Sequence, residues 1–256
     1  MRRLGSFFGL ANRFPIISLA SFWPNYYCHY HYHRYFSGRW LTTQTMATDR
    51  NRGALIIIEG ADRTGKSTQS KMLVDALLAD GKQAELVKFP DRTTPIGKLA
   101  GSYLQKTLDL EDHAIHLIFS ANRWEKVPSI IERLENGITL VVDRYAFSGV
   151  AYTSAKRGFD IEWCKQSDTG IPAPDLVIYL TLPVDQATSR DQYGTERYES
   201  TQFQKRAVEN FEKLMTKNWT TLDASQSIDA IHQQMKDLTT EIMQQVGTRS
   251  IEKLWV

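Results

Sequence analysis

Two cysteines, Cys28 and Cys164, are all that 256 residues contain. That leaves no disulfide framework and no paired thiol spacing for a metal. No uninterrupted run of about 18 apolar residues occurs, so no segment reads as a membrane-spanning helix. Acidic residues and lysine are missing from the first 48 positions, which carry Arg2, Arg3, Arg13, Arg34 and Arg39. The formal charge of +2 therefore hides a division: outside that segment 26 basic residues face 29 acidic ones. A body so close to neutral excludes broad nucleic-acid binding, which needs a wide basic surface. Phosphates, if handled, must meet positive charge focused at one place. With 42% hydrophobic residues the chain can bury a core without staples, as one large domain or one domain plus a tail.

Residues 1–48 stand apart. They are rich in Arg, Ser, Phe, Tyr and His and show no repeating helical face. An Arg-rich, acid-free N-terminus fits an organelle transit peptide; the alternatives are a disordered extension or sequence upstream of a start at Met46. Asn12, Arg13 and Pro15 break the apolar stretch and speak against a secretory signal. The alternation His29, His31, His33 has no accompanying Cys or carboxylate, so a metal site there is not expected.

Residues 49–256 alternate between strand and helix patterns. Ala54–Ile58 is a short apolar, β-branched run. The stretch from Lys66 to Asp80 places Met72, Leu73, Ala76 and Leu77 on one helical face, and Gly81 ends it. Further strands are expected at Ala84–Phe89, Ile138–Val142, Leu176–Leu180 and Thr220–Leu222. Helices are expected at His113–Asn122, Val127–Glu135, Phe203–Lys217 and Ile228–Val246. Five strands separated by helices imply a three-layer α/β/α fold around a parallel sheet.

Gly60-Ala61-Asp62-Arg63-Thr64-Gly65-Lys66-Ser67 fits the phosphate-loop pattern G-x-x-x-x-G-K-[ST], with a strand running in and a helix running out. Gly60 and Gly65 let the backbone wrap close to phosphates, and backbone N–H groups at the helix start face the anion. Lys66 supplies a cation for the outer phosphates and Ser67 a hydroxyl for Mg2+. Asp143 ends a buried strand, where a carboxylate can hold the metal region; its plainer role is a helix cap or a pair with Arg144. No Asn-Lys pair occurs, which removes the usual guanine reader of GTPases. Arg63 lies in the loop, Arg123 follows a helix, and Arg92 and Arg144 lie just past strand C-termini, where α/β folds bind ligands. Guanidinium forks suit a second, phosphate-bearing acceptor.

Five segments together resemble the thymidylate kinase family, eukaryotic type. They are Glu59–Gln69, Phe89-Pro90-Asp91-Arg92, Leu117–Glu125, Val142–Gly149 and Glu196-Arg197-Tyr198-Glu199. The likeness runs from about residue 53 to the end. It implies a P-loop NTPase fold of the nucleoside-monophosphate kinase type, with a short lid at about residues 190–199. It implies transfer of the γ-phosphoryl group of ATP to dTMP with Mg2+, in a homodimer, with no nucleic-acid or membrane partner. By that resemblance Gly60, Asp62, Arg63, Thr64, Gly65, Lys66, Ser67, Thr68 and Arg190 would bind ATP, and Ser67 and Asp143 the metal. Arg63, Lys66 and Asp143 would be catalytic, with Arg63 bridging donor and acceptor phosphates.

The acceptor set implied in the same way is Asp62, Phe89, Arg92, Phe119, Arg123, Arg144, Gly149, Tyr152 and Tyr198. Arg92 and Arg144 would grip the dTMP phosphate. Phe119 would stack on the base and Arg123 bond its carbonyl edge; the alternative for Phe119 is core packing. Asp62 would meet the 3′-hydroxyl, Tyr152 crowd the 2′ position, Tyr198 close over the sugar, Arg190 cover the adenine, and Arg197 belong to the lid. A thymidine kinase and a catalytically silent nucleotide-binding regulator remain as alternatives. A start at Met1 predicts mitochondrial or other organelle import; a start at Met46 predicts a cytoplasmic or nuclear protein.

Overall fold

The structure, a computed structural model, describes residues 51–183, 186–187 and 196–256. The expectations for residues 1–48, Cys28 and the histidine alternation included, fall outside the described residues. So do Arg190 and the 190–195 part of the lid.

In chain order the first elements are β1 (Leu55–Gly60), α1 (Lys66–Ala79), β2 (Ala84–Lys88), α2 (Pro95–Leu104), α3 (Asp112–Trp124) and α4 (Val127–Glu135). They are followed by β3 (Thr139–Asp143), α5 (Ala146–Ser154), α6 (Ile161–Gln166), β4 (Leu176–Thr181), α7 (Thr201–Leu214), β5 (Trp219–Asp223) and α8 (Ile228–Val246). The sheet is parallel throughout, in the order β2-β3-β1-β4-β5. β1 is buried along its whole length, as its aliphatic run Leu55–Ile58 requires, and Glu59 is buried with it.

Strand alternation divides the core into two layers. Ile56 and Ile58 join Leu73, Leu77, Ile231 and Met235 beneath α1 and α8. Leu55 and Ile57 join Tyr145, Val150 and Phe211 beneath α5 and α7. Each buried aliphatic side chain stabilises the fold by about 1.5–3 kcal/mol, so the sheet forms a rigid floor. Register then sets the site: Asp143 and Lys88 pair and end their strands side by side, and Ile58, two residues before the end of β1, pairs with Asp143. Gly60 follows on β1, and a Cβ there would lie 2.5 Å from the Leu180 carbonyl oxygen. Only glycine lets the chain turn into the loop at that point.

The expected strands all occur, with ends shifted by a residue or two. The buried face of α1 differs from the expected one: it is Lys66, Gln69, Ser70, Leu73, Val74 and Leu77, while Met72 and Ala76 are only partly covered. Val74 takes their place because α1 packs on both the sheet and α8. Among the described residues, α2, α5 and α6 were not anticipated. Proline and glycines hide α2, yet Thr94 caps it, accepting from Gly97 N at 3.0 Å, with Pro95 in the first turn. Gly97 and Gly101 bring α2 against Asp91 and Arg92, so the glycines serve the loop that carries Arg92. Cys164 is buried and unpaired.

Candidate active site

The phosphate loop and the loops after β2 and β3 open into one cleft of about 380 Å3, a size suited to small ligands. Every expected site residue lines it except Gly60, Thr64 and Arg190. Gly60 turns the chain. Thr64 is 2% exposed, and its hydroxyl donates to Ala61 O at 3.1 Å, so the side chain braces the loop from behind. Arg190 is outside the described residues.

At the phosphate end, Lys66 Nζ donates to Ala61 O at 2.6 Å and to Thr64 Oγ1 at 3.3 Å. Burial and the neighbouring Arg144 push the Lys66 ammonium down to about 7, against the pull of Asp62, Asp143 and Glu59. Ser67 Oγ donates to Asp143 Oδ2 at 2.5 Å, and Lys88 Nζ lies 3.2 Å from that hydroxyl and 3.4 Å from the carboxylate. Burial alone would raise Asp143, but Lys66, Arg144 and the Ser67 hydrogen bond outweigh it and hold the carboxyl below its usual range. This pair of hard oxygen donors suits Mg2+, which keeps one or two protein ligands and takes the rest from phosphates and water. Among the described residues no group of three His, Cys, Asp or Glu forms a denser cation cage.

Arg63 and Arg144 both adopt left-handed backbone, φ 65° and 69°. That conformation costs roughly 1–2 kcal/mol in a residue with a Cβ, and such outliers gather at functional sites. Each arginine meets a carboxylate. Arg63 Nε and Nη2 both lie 2.9 Å from Glu199 Oε1, Arg92 pairs with Glu196 at 2.8 Å, and Arg144 with Asp62. Gln204, on α7, donates to Asp62 Oδ2 at 2.5 Å and accepts from Asp62 N. Burial would raise the Asp62 carboxyl, but Arg144 and Lys66 hold it low. Behind the loop, the buried Glu59 carboxylate accepts from Tyr145 N, Ser148 N and Ser148 Oγ, tying β1 to the start of α5.

The other end of the cleft is built by α3 and α5. Phe119 lines the cleft and is only partly buried, which favours a ligand-facing role over core packing. Arg123, next on that side, is 3% exposed and forks onto Asp168 at 2.8 and 2.5 Å. Gly149 leaves room for it: a Cβ would lie 2.9 Å from Arg123 Nη2. Tyr152, on α5, is 7% exposed, lies beneath the Arg144 guanidinium and reaches Gln204 at 3.4 Å. Tyr198 stacks on Phe203 at 5.0 Å and packs against Tyr152 at 5.5 Å. Arg197 turns the other way, 4.2 Å over the Tyr103 ring with Tyr103 O and Leu108 O as acceptors, and so anchors its segment to the end of α2.

A sequence model described as thymidylate kinase matches residues 58–235. Human thymidylate kinase is 55% identical over 207 residues, covering 80% of this chain and 98% of its own length. The enzyme of Schizosaccharomyces pombe is 49% identical over 75% of this chain and 94% of its own. A solved thymidylate kinase structure from Candida albicans superposes with a TM-score of 0.70 at 37% identity, covering 79% of this chain and 98% of that one. The chain belongs to the thymidylate kinase family. The matched stretch holds every cleft residue discussed above, from Gly60 to Gln204.

Asp168, Gln204 and Lys88 escaped the sequence reading, and nothing local marks them as partners of the site. Glu59, Glu196 and Glu199 stood inside the quoted segments without a role. Their carboxylates turn out to hold the loops and the arginines of the cleft.

Proposed function

We propose that the protein transfers the γ-phosphoryl group of ATP to dTMP, yielding ADP and dTDP on the route to dTTP. One observation carries the reading: Lys66, Arg63, Arg92 and Arg144 share a single cleft with Phe119 and Arg123. Cations for two polyanions and a flat site with a donor for a carbonyl therefore occupy one space. A dTMP phosphate is already ionised near neutral pH, so no general base is required. The obstacle is repulsion between the two nucleotides, and fixed positive charge in a water-poor site removes it.

In this scheme the loop backbone and Lys66 orient the donor phosphates. Arg92 and Arg144 exchange Glu196 and Asp62 for the acceptor phosphate, and Arg63 exchanges Glu199 for the transferring group. Phe119 offers a face to the base, Arg123 a donor to its carbonyl edge, and Asp62 a carboxylate to the sugar. Mg2+, held by Ser67 and by Asp143 directly or through water, would neutralise charge on the donor phosphates when bound. The segment carrying Glu196–Glu199 lies against the cleft, and its closure would exclude water.

A thymidine kinase would need a carboxylate base, and Asp62 is a poor one, pinned by Arg144 and Gln204 with its proton affinity lowered. A silent regulator could use Lys66, Ser67 and Asp143 to hold nucleotide and Mg2+, but it would have no use for Arg63 set beside them in the same cleft. A coupled ADP-release assay with ATP and Mg2+ tests all three readings. Turnover with dTMP and little with thymidine is expected; turnover with thymidine alone, or none, rejects the proposal.

A homodimer has a face available to it. Leu117, 50% exposed, and Trp124, 41% exposed, lie seven residues apart on one side of α3, with Ala121 between them. Light scattering should give twice the chain mass, and Leu117→Asp should reduce it; a monomeric parent protein would reject this part. Residues 1–48 are proposed to direct a chain started at Met1 to mitochondria or another organelle, while one started at Met46 stays cytoplasmic or nuclear. Diffuse fluorescence from a fusion of residues 1–50 would reject that role.

A further inference from the structure

The base end of the cleft contains an ion pair unlike the others. Arg123 is 3% exposed and Asp168 is fully buried. Arg63, Arg92 and Arg144 keep 27%, 39% and 21% of their side chains exposed. Asp168 takes Arg123 Nε and Nη2 in a two-pronged fork, the geometry that fixes a guanidinium plane. The carboxylate is itself pinned. Ser120 Oγ donates to Asp168 Oδ1 at 3.0 Å and to Ser167 O at 2.7 Å, and Trp124 Nε1 donates to the same Ser167 carbonyl at 2.7 Å. His116, buried beside this pair, contacts Thr153 Oγ1 and Cys164 O at 2.9 Å and Ser167 Oγ at 3.2 Å. Burial and Arg123 hold its imidazole down at about 4, so it stays neutral and adds no competing charge.

The opposite flank of Arg123 is closed by α5. A Cβ on Gly149 would lie 2.9 Å from Nη2 and 3.3 Å from Nη1. The guanidinium is therefore trapped between a carboxylate and a helix backbone, with Nε and Nη2 engaged by Asp168. Nη1 remains to serve the cleft that Arg123 lines.

We propose that Asp168 is the specificity-setting positioning residue: with Gly149 it holds Arg123 in one orientation, so that the base site accepts a pyrimidine with a 4-carbonyl and rejects one with a 4-amino group. This deepens the dTMP reading and rests on it. A guanidinium has donors only, and one that cannot rotate away cannot avoid an opposing amino group. A mobile arginine would lose less by swinging aside, so discrimination comes from the pinning as much as from the charge. Asn122, next to Arg123 on α3, accepts from Asp91 N at 2.7 Å and holds the loop of Arg92. One turn of α3 thus sets both the base reader and the acceptor-phosphate loop.

The test measures kcat and KM for dTMP, dUMP and dCMP in the parent protein, Asp168→Asn, Asp168→Glu and Gly149→Ala, with thermal melting alongside. Asp168→Asn should raise KM for dTMP by about 10- to 100-fold and leave kcat within about threefold, the signature of lost binding rather than lost chemistry. The preference for dTMP and dUMP over dCMP should fall at least about tenfold. Asp168→Glu, which keeps the charge, should recover part of that preference. Gly149→Ala crowds Arg123 without removing the ion pair and should show the same loss of preference, so the proposal is still tested if Asp168→Asn fails to fold. Folded Gly149→Ala protein with unchanged KM values and unchanged selectivity would overturn it. So would an equal fall in kcat for all three nucleotides with selectivity intact. A parent protein inactive on dTMP would instead overturn the underlying functional reading, which the first measurement reveals before any variant is compared.

Discussion

The two ends of the cleft use arginine in opposite ways. At the phosphate end Arg63, Arg92 and Arg144 sit on loops, stay partly exposed and pair with side chains that reach in from elsewhere. At the base end Arg123 is enclosed by packed helix and held by a carboxylate with no exposure. The Arg92–Glu196 pair, 39% exposed on both sides, is of the kind worth about 0–1 kcal/mol, so an incoming phosphate can displace it. Breaking a buried pair by removing one partner costs about 3–5 kcal/mol, so the base reader does not re-partner. Chemistry needs cations that can change partners as charge moves; recognition needs a donor that stays where it is.

The sharpest way to break this comparison is at the phosphate end. Arg63→Ala should lower kcat by roughly 10²- to 10³-fold, the scale for losing one fixed transition-state donor, with KM changed only a few-fold. Arg63→Lys should not restore it, since a point charge cannot reproduce the fork. Steady-state kinetics decides the matter, and near-normal kcat in Arg63→Ala would remove this residue from the chemistry.

A smaller effect is expected at the base end. Phe119→Ala should raise KM for dTMP roughly tenfold, since base–aromatic stacking is worth about 1–3 kcal/mol. Its unfolding temperature should barely move, because the ring is only partly buried. A large loss of stability with KM unchanged would make Phe119 a packing residue.

The smallest effect is a proton. Lys66, held down at about 7, is mostly neutral at pH 8 in the free protein. Bound triphosphate favours its charged form, so nucleotide binding at that pH should take up about one proton. Titration calorimetry in two buffers of different ionisation enthalpy measures the uptake, and Lys66→Met should abolish it. Uptake of the same size in the Lys66→Met protein would place the shifted group elsewhere.

The phosphate end was legible in the sequence because its geometry is local. Eight consecutive residues shape the loop, and Asp143 and Arg144 follow from where a buried strand stops. The α/β sheet was legible for a similar reason: its aliphatic runs fit no exposed element. The base end was far less so. Asp168 lies 45 residues from Arg123, so no spacing rule joins them; the same holds at the phosphate loop for Gln204, 142 residues from Asp62. α3 also inverts the usual pattern, burying His116, Ser120, Asn122 and Arg123 while leaving Leu117 and Trp124 outside. A helix that turns polar groups inward to build a site defeats a reading based on apolar periodicity. Likewise, proline and glycine obscured α2, although those residues seat the Arg92 loop.

The claim that two nucleotides meet tail to tail over these cations is tested most directly by a single ligand that spans both sites. An oligophosphate joining adenosine and thymidine through their 5′ oxygens should bind one per chain. Its affinity should exceed that of ATP or dTMP alone by at least about 10²-fold, with much of the gain lost in Arg63→Ala. Binding no tighter than ATP, and indifferent to the thymine end, would contradict the account.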